Sequence, residues 1–356
     1  MSPSPPSSNP PALPVTWTDP SREAAFNTWL LSLGVHSLQP VTLRLASVDA
    51  SFRRYLRIDG TRGTRIIMDA PPDKEDSKPF VDVARLMADA GLNVPQVLDW
   101  DVVHGFLLLS DLGDKTMMQT MVRDNPQANY SSYMQAVDAL IIWQLASKPD
   151  ILPPCNEALL QRELALFPDW YLAQHRGIAV EGEVRATLDA AFKKIVTQNL
   201  RWPPVYVHRD FMPRNLMQGS PPGILDFQDA VYGPVTYDIA SLMRDAFLTW
   251  EEDFVLDITI RYWEKARKAG LPVGGDFGEF YRGVEWMGLQ RHLKIAGIFA
   301  RLTLRDGKPQ YLADTPRFID YIRATCSRYR ELKPLLRLID RVEGIEAATG
   351  FAYGRV

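Results

Sequence analysis

The chain has 356 residues, 46% of them apolar and 23% charged, with a formal net charge of −3 and a pI near 6.0. Such a chain is a globular protein long enough for two domains, without the overall charge that would draw it to nucleic acid or anionic lipid. It contains no basic stripe interleaved with aromatics, no run approaching the ~20 apolar residues of a membrane span, and nothing that calls for an obligate protein partner.

Seven prolines in the first twenty residues, with neither the charged start nor the apolar core of a signal peptide, predict a disordered leader over 1–20 and a cytoplasmic protein. The two cysteines, Cys155 and Cys326, lie far apart. One disulfide is open to them, but two reduced thiols suit a cytoplasmic chain better. The five histidines form no HExxH-like pair, so zinc is not expected.

From Ser21, a candidate N-cap, "SREAAFNTWLLSLG" predicts a helix stopped by Gly34. "VTLRLAS", "RRYLRID" and "TRIIMDAP" read as three short strands, with Asp59-Gly60 and Gly63 as turn residues. "KPFVDVARLMADAGL" is amphipathic and ends at Gly91; "PQVLDWD" and "GFLLLSDLG" are extended, with a turn at His104-Gly105. Beyond Gly113, helical patterns dominate, over 129–147, 157–175, 183–199 and on to the end. The order predicts an α+β protein of two lobes: a small antiparallel sheet with a helix over 21–111, and a larger, mainly helical lobe over 112–356.

Between the helices lies "VYVHRDFMPRNLMQGSPPGILDFQDAVYGP". "VYVHRD" and "GILDFQD" read as two paired strands, with "FMPRNLM" and "QGSPPG" as loops, so that Asp210, Asn215 and Asp226 are expected on neighbouring strand ends facing one cleft. One carboxylate can take a proton from a hydroxyl. A second carboxylate and an amide oxygen are hard ligands suited to Mg²⁺. Phosphoryl transfer requires that set, because its catalysis is mostly positioning and charge neutralisation. Each residue alone would be an ordinary turn or cap; the ordered H-x-D-x-x-x-x-N followed by a strand and D-F is specific.

"VHRDFMPRN…ILDFQDAVYGPVTYDIASL" resembles the aminoglycoside-phosphotransferase and choline-kinase branch of the protein-kinase-like fold, over about residues 25–335. "DASFRRYLR", "IIMDAPP", "FLLLSDLG", "ELALFPDWY", "HRDFMPRNLM", "LDFQDAVYGPVTYD" and "GLQRHLKIAGIFARL…RDGKPQYL" further resemble the bacterial family of anomeric N-acetylmuramate and N-acetylglucosamine kinases. That resemblance implies transfer of phosphate from ATP to the C1 hydroxyl, in peptidoglycan recycling toward UDP-N-acetylmuramate. It implies Asp210 as the base, Asn215 and Asp226 as Mg²⁺ ligands, and His208 and Arg209 as residues that hold the loop. Asp238 is expected to cap a helix beneath it.

The nucleotide side departs from the kinase pattern. Met68 stands near the place of the usual third-strand lysine, the following helix has no glutamate, and "SVDASFRRY", with Ser51, has no glycine. Either the nucleotide site is lost, leaving a binding protein, or Arg53 or Arg54 supplies the cation. Strand alternation lets only one of the two face the nucleotide, and which one stays open. Leu109, Asp111 and Leu112 form the expected hinge, whose backbone would meet adenine.

For the acceptor, Glu163, Phe167 and Tyr171 share a helix face close to Trp170. Gln228 and Asp229 follow the metal-binding Asp226. "GLQRHLKIAG" offers Gln290, Arg291, His292 and Lys294, of which Arg291 and Lys294, three apart on a helix, either converge on a sugar carboxylate or form a solvated basic face. An anomeric hydroxyl is more acidic than an ordinary alcohol, so Asp210 needs no strongly raised pKa. Kinases of aminoglycosides, choline or homoserine are the nearest alternatives. "QRHLK" and "RDGKPQ" favour a neutral or anionic acceptor over a cationic one.

Overall fold

The structure, a computed structural model, describes residues 15–48 and 52–345. It divides into two compact units: the chain up to Thr116 together with Met217–Asp229, and Met117–Leu216 together with Ala230 onward.

The first unit is built on a five-stranded antiparallel sheet. Its strands are β1 (Leu38–Val48), β2 (Arg54–Gly60), β3 (Gly63–Asp69), β4 (Val97–Asp101) and β5 (Phe106–Ser110), in the order β1-β2-β3-β5-β4. The β2–β3 hairpin closes through Gly60 opposite Gly63, whose φ of 97° a residue with a Cβ would resist. Helix α1 (Pro20–Ser32) begins two residues earlier than a Ser21 cap would place it: Asp19 accepts from the Ser21 N–H at 2.8 Å and Pro20 takes the first helical position.

Phe26, Trp29, Leu30 and Leu33 seat this helix on the sheet face carrying Leu56, Ile58, Ile67, Phe106 and Leu108. At the margin of that core, buried Asp69 accepts from Arg22 Nε at 2.9 Å and Arg54 Nε at 2.6 Å. Arg54 also lies 3.8 Å over the Trp17 ring, which packs 4.9 Å from Phe26. Trp17, within the stretch expected as a leader over 1–20, thus has an apolar partner; the first fourteen residues of that stretch lie outside the described ones.

By the alternation of β2, Tyr55 and Arg57 belong to the opposite sheet face. Helix α2 (Lys78–Asp89) buries Phe80, Val81, Val83, Ala84 and Met87. Residues 217–229 join this unit through main-chain bonds from Gln218 N to Lys115 O and from Ile224 N to Asn93 O, and Phe227 packs 4.9 Å from Phe80. Here β7 (Leu216–Met217) pairs with β8 (Gly223–Ile224), while β6 (Pro204–Val207) pairs with β9 (Val231–Pro234) in the second unit. The reading of "VYV" and "GIL" as partners is thus corrected: four residues beyond Asp229 supply the partner of β6, and "GIL" closes on the strand just before it.

The second unit is helical. Helices α3 (Met117–Thr120), α4 (Tyr130–Leu145), α5 (Glu157–Leu166), α6 (Gly182–Leu200), α7 (Tyr237–Met243) and α8 (Glu252–Lys268) precede the long α9 (Phe277–Leu304). Helices α10 (Thr315–Arg328) and α11 (Lys333–Glu343) follow. The helix predicted over 157–175 is in two parts. α5 ends at Leu166 and Phe167–His175 continues as a π-helix, where Pro168 lacks the N–H that an α-turn would use. Against this junction lies Gly297 of α9, where a Cβ would come 2.3 Å from the Leu166 carbonyl. Both cysteines are buried free thiols, and among the described residues no helix is long and apolar enough to cross a membrane.

Candidate active site

In the second unit β6 ends at Val207 and the chain enters the loop His208-Arg209-Asp210. His208 is fully buried, and its Nδ1 accepts from the Asp210 N–H at 3.3 Å, which fixes the neutral-ring proton on Nε2. Arg209 adopts φ 78°. Asp238, in the first turn of α7, accepts from the His208 N–H at 2.6 Å and from the Arg209 N–H at 2.9 Å. It braces two loop amides rather than capping a helix, since Thr236 occupies the cap position. Burial pushes Asp238 up to about 6, against the pull of those two N–H groups and of the Arg291 charge.

The Asp210 carboxylate keeps about a third of its surface exposed, 35%. Burial of its surroundings would raise its pKa, but Lys294, Arg291 and Arg209 outweigh that and hold it down at about 2. Asn215 Nδ2 donates to the Asp210 carbonyl at 2.9 Å, which settles which end of the amide is nitrogen and turns the oxygen to the other side.

Beneath the loop the polar residues form one cluster. Glu163 of α5 accepts from Arg209 Nη2 at 2.7 Å and from Lys294 Nζ at 3.0 Å, with the Tyr237 hydroxyl 3.3 Å from its other oxygen. Burial would raise the Glu163 pKa, but the Lys294 and Arg209 charges bring it below its ordinary value. Arg291 is wholly enclosed; it donates to the Arg209 carbonyl and stands 3.5 Å from Asp210 Oδ1.

His292 donates through Nε2 to the Arg244 carbonyl at 3.1 Å and stacks 4.7 Å from Tyr321; burial, then the Arg244 charge, pushes its pKa down to about 3. Of the acceptor residues read from sequence, Glu163 and Arg291 are therefore buried under the loop, and His292 is buried against Arg244 and Tyr321. Lys294 is buried as well, and the solvated basic face is corrected, because α9 is covered on both sides of these positions. Phe167 and Tyr171 are core, stacked at 5.2 Å, and Trp170 is half-buried.

In the first unit Asp226 has φ 63°; its Oδ1 accepts from Gln228 Nε2 at 2.9 Å and lies 3.8 Å from Arg53 Nη2. Asp229 is exposed. Arg53 and Arg54 thus have different partners, one beside Asp226 and the other on the α1 side with Asp69 and the Thr16 carbonyl. Met68 is buried, opposite Tyr55 and Leu107 in the sheet, and Leu109 is buried in β5. Leu112 is half-buried. Asp111 is gripped by Arg57, Nε to Oδ2 at 2.7 Å and Nη2 to Oδ1 at 3.0 Å, and Arg57 also holds the Gly113 carbonyl at 2.6 Å. Ser51 lies outside the described residues.

Asn215, in the second unit, carries an amide oxygen, and Asp226, in the first, a carboxylate. No group of three or more His, Cys, Asp and Glu residues able to hold a metal occurs among the described residues. Hard oxygen donors of this kind suit Mg²⁺, which keeps waters and phosphate oxygens in most of its coordination positions.

Sequence reasoning did not find the bracing role of Asp238 or the Glu163–Lys294 contact. A carboxylate entering the apolar "YDIASL" and a lysine within "LKIAGIFA" were the available signals, since charges inside apolar helical runs need buried partners.

The sequence profile of the Phosphotransferase enzyme family matches residues 42–273, and the chain belongs to that family. More narrowly, it is 46% identical over 340 residues to the N-acetylmuramate/N-acetylglucosamine kinase of Pseudomonas aeruginosa, covering 93% of this chain and 100% of that one. It is 45% identical over 336 residues to the protein of the same name from Neisseria meningitidis, covering 93% and 99%. A choline/ethanolamine kinase family protein from Mesorhizobium loti shares the fold, with a TM-score of 0.57 at 14% identity over 90% of this chain and 99% of that one.

Proposed function

We propose that this protein transfers the γ-phosphoryl group of ATP to the anomeric C1 hydroxyl of N-acetylmuramate and N-acetylglucosamine. It does so in the cytoplasm, and the sugar 1-phosphate feeds UDP-N-acetylmuramate synthesis in cell-wall recycling. The observation that carries the reading is Asp210: a carboxylate open over a third of its surface, on a loop whose backbone is tied down on both sides of it. The printed names of the Pseudomonas and Neisseria relatives, at 45–46% identity, support the choice of sugar.

In the reaction the C1 oxygen forms a bond to the γ-phosphorus as the bond to the β-phosphate oxygen breaks, and ADP leaves with that electron pair. Asp210 orients the hydroxyl and takes its proton. His208 and Asp238 hold the loop, and Asn215 fixes the Asp210 carbonyl. Mg²⁺ held by Asn215 and Asp226 would supply neutralisation of phosphate charge. Arg53, next to Asp226, is the cation that stands in for the missing lysine; Arg54 is engaged with Asp69. Backbone of Leu109, Asp111 and Leu112 meets the adenine edge. Of the acceptor candidates, Trp170, Gln228 and Asp229 retain exposed surface for the sugar.

A coupled assay of ADP release, run with Mg·ATP and a panel of N-acetylmuramate, N-acetylglucosamine, glucose, choline and kanamycin, tests the assignment. Turnover with the two amino sugars and none with choline or kanamycin is expected. Turnover confined to a cationic acceptor would give the site to a different kinase, and failure to bind Mg·ATP would make the protein a binding module.

A further inference from the structure

Among the described residues four non-glycines have positive φ: Ser37, Asp150, Arg209 and Asp226. Ser37 and Asp150 lie in exposed turns, where a local adjustment is cheap. Arg209 is different. Its Cβ makes the left-handed conformation unfavourable, and such a residue persists only where the surroundings over-determine it.

Those surroundings come from three helices. The Arg209 N–H is held by Asp238 of α7 at 2.9 Å. Its carbonyl takes Ser241 Oγ of α7 at 3.1 Å and Arg291 of α9. Its guanidinium is held by Glu163 of α5 at 2.7 Å, and Lys294 of α9 reaches the same Glu163 oxygen at 3.0 Å. The next residue is Asp210, whose direction is set by the ψ of Arg209 and by its own φ. Glu163 itself is 5% exposed and has no surface to offer a sugar.

We infer that Glu163 is a positioning residue that acts on Asp210 through Arg209, and that the Arg209 side chain serves to hold a strained backbone in the one conformation that aims the base. A glycine would adopt the same φ without strain but could not be gripped. An alanine would carry the strain with nothing to hold it. The inference rests on Asp210 being the base.

Arg209→Gly and Arg209→Ala separate the two effects, because both remove the guanidinium and both leave the Glu163–Lys294 pair intact. With N-acetylmuramate and Mg·ATP, kcat of Arg209→Gly is expected roughly tenfold below wild type and that of Arg209→Ala about tenfold lower again, with both KM values within about twofold. A purely structural role would instead lower the folded fraction, in the same order because alanine is strained at a positive φ, and would leave kcat per folded molecule at the wild-type value in both variants. Glu163→Gln is expected to lower kcat and leave the sugar KM unchanged.

Equal or inverted activities of the glycine and alanine variants would overturn the inference. So would a Glu163→Gln variant that raises only the sugar KM, for that carboxylate would then touch the sugar. If Glu163→Gln does not fold, as its circular dichroism would show, the Arg209 pair still decides. Asp210→Asn at wild-type kcat would instead sink the reading of Asp210 as base, whichever way the Arg209 pair falls.

Discussion

In the first unit, the core under α1 is apolar throughout, from Phe26 and Trp29 to Leu56, Ile67 and Leu108, and the carboxylate beside it is met by arginines that are themselves 18% and 23% exposed. In the second unit the charges lie inside: Glu163, Arg291, Lys294 and Asp238 are all buried within the helices that pack under the His208–Asp210 loop. Apolar area stabilises whatever arrangement covers it, and is indifferent to small shifts. A buried ion cluster costs desolvation and returns it only at one geometry. We take the difference as a division of labour, in which one unit needs a stable sheet and the other needs a single direction for Asp210.

Breaking one charge in each unit sharpens that contrast. Glu163→Gln leaves Arg209 and Lys294 as buried cations without their carboxylate, and a loss of about 3–5 kcal/mol is expected in urea denaturation. Arg44→Gln removes an ion pair of similar length in the first unit, Arg44 Nη1 to Asp59 Oδ1 at 2.9 Å, but its partners are 27% and 40% exposed. Less than ~1 kcal/mol is expected there. Comparable losses would erase the distinction.

A smaller effect concerns protons. The His292 pKa is depressed by burial and by the Arg244 charge, so below its unfolded value near 6.5 the unfolded chain takes up a proton that the folded chain refuses until about 3. Its contribution is therefore present above pH 6.5 and falls as the pH drops through that window, by about 2 kcal/mol at pH 5. Asp238 and Asp245, both raised to about 6 by burial, work in the opposite sense over the same range. The difference between wild type and His292→Gln isolates the histidine. The melting temperature of the variant should decline less steeply from pH 6.5 to 5, and parallel curves would show that the imidazole titrates normally.

How much of this could be read in the sequence follows the same divide. Strands, hairpin glycines and the amphipathic α2 were legible because periodicity reports apolar burial; the spacing of Asp210, Asn215 and Asp226 is read from the sequence itself, and their roles are part of the proposal. What stayed hidden depends on partners distant in the chain. β6 prefers the strand after Asp229 to the nearer "GIL". Pro168 and the close approach of Gly297 widen one helix into a π-turn. Arg291 and Lys294 read as a basic face until α9 is seen to be enclosed. Local pattern also could not choose between Arg53 and Arg54; their partners, Asp226 and Asp69, lie 173 and 15 residues away along the chain.

The most direct test of the account is the position of the new phosphate. With N-acetylmuramate, Mg·ATP and wild-type protein, ³¹P NMR should show a single sugar phosphate coupled to the anomeric proton, and Asp210→Asn under the same conditions should show ATP alone. A phosphate on any other hydroxyl, or an undiminished signal from Asp210→Asn, would contradict it.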